Sequence, residues 1–347
     1  MDKKEKSSAV AVRGNSKTFI MGFIFVAVLY GGIKLLAFMG IVSAYYLLII
    51  EKICIDIILA LGLNLITGIT GQFSLGHAAF MALGAYTAAT FINYLPNEFY
   101  SVIAVCILGT IAGGVGGLLL AIPTLRLKGD YLAIATLGFA EIIRIVILNV
   151  DQDILGGSAG ISNIKRFSSF ELIFFGMVLS FVIVRNFVKS SYGRACISLR
   201  EDDVAAEAMG INITKMKLSA FVIGTMLAGF AGSVYSGYVG YIAPKDFGFL
   251  KSIDILMIVV LGGLGNLWGT VGAGILLNIV STLLQELEEL RMIIYALVLI
   301  FVMLFKWGES PVLSWIRDKW QKIKELPVIS QITNAYHSIV DKQKEID

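Results

Sequence analysis

The chain has 347 residues, 57% of them hydrophobic and only 15% charged, with a mean hydropathy of +0.83. A soluble domain carries roughly a quarter charged residues; a chain this apolar would expose large sticky patches in water, so composition excludes an ordinary soluble domain and points to a bilayer. The net charge of +3 is spread over loops and ends, which bears on membrane topology rather than on nucleic acid.

Residues 1–18 are polar and basic, with Lys3, Lys4, Lys6, Arg13 and Lys17 ahead of an apolar stretch over 19–39. That stretch exceeds the roughly 7–15 residues of a cleaved signal's apolar core, so it reads as a retained span. Further runs near the roughly 20 residues a transmembrane helix needs fall at 45–66, 73–93, 101–122, 131–150, 171–188, 218–241, 252–265, 267–285 and 290–306. The segment 252–265 is short, and only Gly262-Gly263-Leu264-Gly265-Asn266 separates it from the next. Over 62–76, Gly62, Gly68, Gly71 and Gly76 interrupt the apolar pattern. Such interruptions survive at membrane depth where protein or a water-filled cavity covers the backbone.

Lysine and arginine then orient the chain. The N-terminus, the Arg126/Lys128 loop, the loop 189–217 and the tail beyond Lys306 are basic, and cytoplasmic segments carry the basic excess. The loops 93–98, 151–162 and 284–290 carry little positive charge and should face outward. The resulting expectation is an all-α, polytopic transmembrane helix bundle of about ten spans, or eight if two segments are re-entrant, with both termini cytoplasmic. A permease-like membrane domain would then occupy 19–308 and a polar tail 309–347, where Trp315 and Trp320 beside Arg317, Lys319 and Lys322 suit a helix lying at the membrane surface.

Polar groups inside these spans are few. Gln72, Ser74 and His77 lie in one apolar block, and an intramembrane polar residue is a candidate functional group; the other reading of His77 is a histidine satisfied within the bundle. Glu141 and Arg144 stand three apart, so they share a helix face and can pair, either fixing helix packing in the bundle interior or lining a water-filled path. Thr136 lies on the same segment. Lys52 and Asp56, four apart, invite the same pairing. Cys54, Cys106 and Cys196 have no metal-ligand or redox spacing and read as packing residues.

The loop 189–217 contains the most telling segment. Asp202–Met209 has good helix formers, an acidic start that suits the helix dipole, and Gly210 placed to stop it. A short amphipathic helix should therefore protrude at the cytoplasmic face and lead into the next span.

Three stretches carry a family resemblance. They are Ser198-Leu199-Arg200-Glu201-Asp202-Asp203-Val204-Ala205-Ala206-Glu207-Ala208-Met209-Gly210, Gly71-Gln72-Phe73-Ser74-Leu75-Gly76-His77-Ala78-Ala79-Phe80, and Leu125 to Arg144 with its Lys128-Gly129-Asp130-Tyr131 start. They occur in the order found in ABC importer permeases of the branched-chain amino acid class, and the third resembles the M-type (LivM-like) member in particular. Gly156-Gly157-Ser158-Ala159-Gly160 and Val260 to Gly269 extend the match to roughly residues 45–308, although the family usually has a polar residue where Ala159 stands.

The resemblance implies a second, homologous permease subunit, two cytoplasmic ATP-binding subunits, an extracytoplasmic solute-binding protein and a bacterial or archaeal cytoplasmic (inner) membrane. In that family the short helix docks on the ATPase subunit, so within this resemblance Glu207 and its neighbours Arg200, Glu201 and Asp202 are the expected polar contacts to an ATPase, with Ala206 in the same coupling segment and Gly210 the stop that sets the helix's angle. No phosphate-binding Gly-x-x-x-x-Gly-Lys-Ser/Thr motif is present, so ATP hydrolysis is expected of a partner, and neither a cofactor nor a metal is implied. The competing class is a stand-alone ion-coupled carrier using Asp56, Glu141 and Asp254. Substrates expected from the resemblance are leucine, isoleucine and valine, with urea, amides and other amino acids carried by similar permeases.

Overall fold

The computed structural model describes residues 30–35, 39, 43–96, 99–124, 127, 129–151, 155–283 and 297. By compactness the chain divides into Met1–Leu283 and Leu284–Asp347; apart from residue 297, everything described belongs to the first unit. The expected span 290–306, most of 19–39 and both termini lie outside the described residues.

Among the described residues the regular structure is helical, joined by irregular links, with one isolated antiparallel bridge between Ile161 and Ile242. In chain order the helices are α1 (Ala44–Leu63), α2 (His77–Ile92), α3 (Phe99–Thr124), α4 (Asp130–Asn149), α5 (Phe170–Lys189), α6 (Ser191–Glu201), α7 (Asp203–Ala208), α8 (Ile213–Val239), α9 (Phe249–Gly262) and α10 (Leu267–Leu283). Four are long and apolar enough to cross a membrane: α3, α4 (from Tyr131), α5 and α8; α2 and α10 are shorter apolar helices. Each expected span from 45–66 to 267–285 overlaps one of these helices, and α9 is short, as expected for 252–265.

Two departures matter. α1 does not run on as an α-helix but passes into a π-helical turn, Asn64–Ile69, all six residues of which are buried. The chain is then irregular until α2 begins at His77, so 73–76 is not helical and Gln72 and Ser74 stand on a link rather than on a span. The glycines that interrupt 62–76 mark this break. The loop 189–217 also holds two helices, not one: α6 precedes α7, and the extended Asp202 (φ −155°) separates them.

α8 is the hub, packed against α1, α2 and α3. Helices in lipid gain little from hydrophobic attraction and associate through close packing of small residues. Gly84 on α2 faces Gly229 on α8, where an added Cβ would overlap the Gly229 carbonyl oxygen and lie 2.6 Å from its Cα. Gly113 on α3 meets the same stretch of α8, its added Cβ lying 2.7 Å from the Gly229 Cα. Backbone thus meets backbone across all three helices.

The helices α5 to α8 begin on side-chain caps. The Ser190 hydroxyl accepts from the Gly193 N–H (3.2 Å) at α6, and the Asn212 Oδ1 accepts from the Lys215 N–H (3.0 Å) at α8. At the opposite end of the bundle from α7, the Gly156–Gly160 block docks on the segment after α8. Ile161 and Ile242 exchange backbone bonds of 2.9 and 3.1 Å, and the Tyr241 hydroxyl donates to the Ala159 carbonyl (2.8 Å). Residues 30–35 are helical and reach α5 through a Lys34–Glu171 ion pair and Tyr30 stacked on Phe170.

Candidate functional site

α7 is a single exposed turn-and-a-half held at both ends. The Asp202 carboxylate accepts from the backbone N–H groups of Val204 (2.8 Å) and Ala205 (3.1 Å), which satisfies donors a helix start leaves open. At the other end Gly210 is left-handed (φ +83°), its N–H reaching the Glu207 carbonyl at 2.9 Å while the Ile211 N–H reaches the Ala206 carbonyl at 3.1 Å. That pair of bonds is a Schellman stop, so Gly210 terminates the helix as its place in the sequence predicts. Asp202 therefore spends its side chain on the cap.

The face α7 presents outward is apolar at its edges and acidic between them. Val204 is 75% and Met209 83% exposed, and Glu207 is exposed beside them. Ala206 points the other way and is buried. Beneath it, Asp203 pairs with Lys217 at the start of α8 (3.0 Å), and the Lys217 carbonyl accepts from the Gln72 amide (3.2 Å). α7 is thus tied through Lys217 of α8 to the link that precedes α2. An open cleft of about 420 Å³ lies alongside, lined by Gln72, Leu132, Arg200, Glu201, Asp203 and Lys217 among others. On α6 the Cys196 thiol is buried near the Met216 carbonyl (3.6 Å), and loss of solvent pushes its pKa up to about 11, in keeping with a packing role. Cys54 and Cys106 are likewise buried and unbridged.

The other residues singled out from the sequence separate into two groups. Gln72, Ser74, His77 and Thr136 are interior, each at most 3% exposed. Thr136 on α4 holds the link in place: its hydroxyl accepts from the Leu75 N–H (3.0 Å) and donates to the Ala133 carbonyl (2.9 Å). Gln72 also donates to the Thr70 hydroxyl (2.8 Å). The His77 imidazole lies beside the Leu59 carbonyl and edge-on to Phe80, yet neither ring nitrogen meets hydrogen-bond geometry with a protein group.

Glu141 and Arg144 do pair (2.7 and 2.8 Å), but with side chains 37% and 32% exposed. The pair is thus half-buried in this chain, a placement that fits either a packing pair or the wall of a water-filled path. Asp56 is also paired differently from the sequence reading. Its partner is Lys251 on α9 (2.7 Å), not the helical neighbour Lys52.

Asn64, which the sequence reading left without a role, is completely buried at the start of the π-helical turn. Its Oδ1 accepts from the Gly265 N–H (2.8 Å) and its Nδ2 donates to the Thr270 hydroxyl (2.8 Å). One amide therefore stitches the end of α1 to the glycine break between α9 and α10. An asparagine inside an apolar run, four residues before a glycine, was the available signal. Among the described residues no group of three or more His, Cys, Asp or Glu is placed to hold a metal.

Comparison with known proteins places the chain in a family. The pattern of the family described as "Branched-chain amino acid transport system / permease component" matches residues 45–303. The chain is 34% identical to the high-affinity branched-chain amino acid transport system permease protein LivM of Salmonella typhimurium LT2, over 84% of this chain and 73% of that protein. It is 35% identical to Escherichia coli K12 LivM over 73% of this chain and 66% of that one. A shorter match, 35% over 27% of this chain and 30% of the relative, is to Escherichia coli K12 LivH. No solved structure matches the chain. On the extent of these matches, the chain belongs to the branched-chain amino acid transport permease family.

Proposed function

We propose that this chain is one of two permease subunits of an ABC importer that takes up branched-chain amino acids. Family membership and the printed function of the LivM relatives support the cargo and the class. The partial likeness to LivH supports a second permease of related sequence. The chain itself moves no phosphate. It forms part of the pathway through the cytoplasmic membrane, and its motion comes from two ATP-binding subunits acting at α7 while an extracytoplasmic protein delivers the solute.

The observation that carries the docking role is the exposure of Val204 and Met209 on a helix that is capped at both ends and anchored beneath by Asp203–Lys217. A solvated connector has no reason to display two large apolar side chains on so rigid a support, whereas a groove on a partner would cover them. In this reading the α7 end of the bundle is cytoplasmic, the bundle has about ten spans with both termini inside, and the half-buried Glu141–Arg144 pair faces the second permease or a water-filled path. The stand-alone carrier gains no support: Asp56 and Glu141, two of its three carboxylates, are committed to Lys251 and Arg144.

Glu207→Lys reverses the charge at the centre of the docking face without touching a packed side chain. We expect it to accumulate in the membrane as the wild-type chain does and to lose co-purification of the ATPase by tenfold or more, about the 1.4 kcal/mol or more expected when a like charge meets a complementary interface. Normal co-purification together with normal transport would remove α7 from the interface.

A further inference from the structure

We propose that Arg200 is a positioning residue inside this permease: it carries motion of the docking helix into the broken part of α1 rather than contacting the ATPase. The inference rests on the reading that α7 docks on a partner, and adds where the movement goes.

Arg200 is the penultimate residue of α6, two before the Asp202 cap of α7. Its guanidinium turns back toward the bundle. Nη1 donates to the Gly68 carbonyl at 2.7 Å, while Nε and Nη2 hold the neighbouring Glu201 carboxylate at 3.2 and 2.7 Å. Gly68 stands near the end of the π-helical turn, where carbonyls run out of partners within the helix, so Arg200 supplies a donor from outside, and a charged one.

Glycines make the path for this side chain. A Cβ at Gly71 would lie 3.0 Å from the Arg200 Cγ, and one at Gly265 would lie 3.2 Å from both Nη1 and the Gly68 carbonyl oxygen. Gly71 and Gly265 are also left-handed, at φ +70° and +83°, conformations that a side chain at either position would strain. Three non-helical or distorted segments therefore converge on one arginine side chain: the link before α2 on its stem, and the π-helical turn and the α9–α10 break on its guanidinium. Asn64 ties the last two together through Gly265 and Thr270.

Intact helices move as rigid bodies, whereas π-turns and glycine breaks are places where backbone bonding can change register. A displacement of α6 and α7 pulls, through Arg200, on the parts of the membrane domain best able to respond. The simpler role, an arginine that only fastens α6 to the bundle, predicts a different outcome. Its loss would weaken assembly and lower hydrolysis and uptake together.

The test uses the whole transporter in proteoliposomes: this chain with its partner permease, ATPases and binding protein. Arg200→Met keeps the length of the aliphatic stem and removes every donor. The expected result is ATP hydrolysis, stimulated by the loaded binding protein, within about twofold of wild type, while leucine uptake per ATP falls about tenfold, in the usual range of coupling energies. Arg200→Lys, which retains one donor for the Gly68 carbonyl, should recover part of the ratio. An uptake-to-hydrolysis ratio equal to wild type in Arg200→Met, whether both rates are normal or both fall, overturns the proposal. If Arg200→Met does not assemble, Arg200→Lys decides in its place, an unchanged ratio again being the overturning result. Glu207→Lys run in parallel separates the two readings. If it leaves the ATPase bound, the docking assignment fails; if it releases the ATPase while Arg200→Met keeps a wild-type ratio, only the Arg200 proposal fails.

Discussion

Gly84→Val is expected to leave almost no folded protein in the membrane. The Cβ of any side chain at 84 would overlap the Gly229 carbonyl oxygen, and its neighbours within 2.6 Å are backbone atoms of α8. Rotamer changes cannot relieve a backbone collision, so α2 and α8 would have to move apart. Overpacking by a single methyl costs about 1–3 kcal/mol in a well-packed core, and Gly84→Ala should show a loss of that size as a lowered melting temperature in detergent. Valine adds two more carbons at the same point, and because α8 also packs against α1 and α3, the separation spreads through the hub. Fluorescence-detected gel filtration reads both variants. A Gly84→Val protein that elutes and melts like wild type would show that the helices are not in backbone contact there.

The second large effect concerns the ion pair between α1 and α9. Lys251→Met should destabilise the protein by about 3–5 kcal/mol, the usual penalty for leaving one member of a buried pair alone. The Asp56 side chain is only 9% and the Lys251 side chain 20% exposed, and their 2.7 Å contact bridges residues 195 apart in sequence. Removing the lysine strands a carboxylate among buried neighbours, since Ile55 and Ile57 flank it on the same helix. The double variant Asp56→Leu/Lys251→Met removes both charges and should regain most of the loss, because an apolar replacement for a buried pair is often neutral. Thermal melting of the two variants decides the matter. Equal destabilisation in the single and double variants would mean that packing of the lysine stem, not the charge, carried the effect.

Much of this architecture was legible because hydropathy and helix-stop chemistry are local. Helices α1–α5 and α8–α10 follow apolar runs, and Gly210 declared the end of α7 through the one property only glycine supplies cheaply, a left-handed φ. α6 was passed over because its composition is polar, although Gly193, Cys196 and Leu199, the residues it buries, recur at the helical spacing of three.

What depends on long-range pairing was not legible. Asp56 offered Lys52 as a partner four residues away, and the structure supplies Lys251 from another helix. Lys251 sits just before an apolar run, so a hydropathy reading places it outside the membrane segment. The Glu141–Arg144 pair illustrates a different gap: spacing establishes that the two share a face, but not which way that face turns. Arg200 was read as one of several charges on a protruding helix. Only the fold brings it to the Gly68 carbonyl, 132 residues earlier in the chain.

Uptake of labelled leucine into proteoliposomes that hold this chain with the products of its neighbouring genes, with and without enclosed ATP, separates an ATP-driven importer from a stand-alone carrier. An importer of this class gives uptake that requires ATP and the binding protein and is lost with Glu207→Lys. Leucine uptake that ignores ATP and follows an imposed ion gradient would contradict it, and would return the function to the membrane carboxylates of a stand-alone carrier.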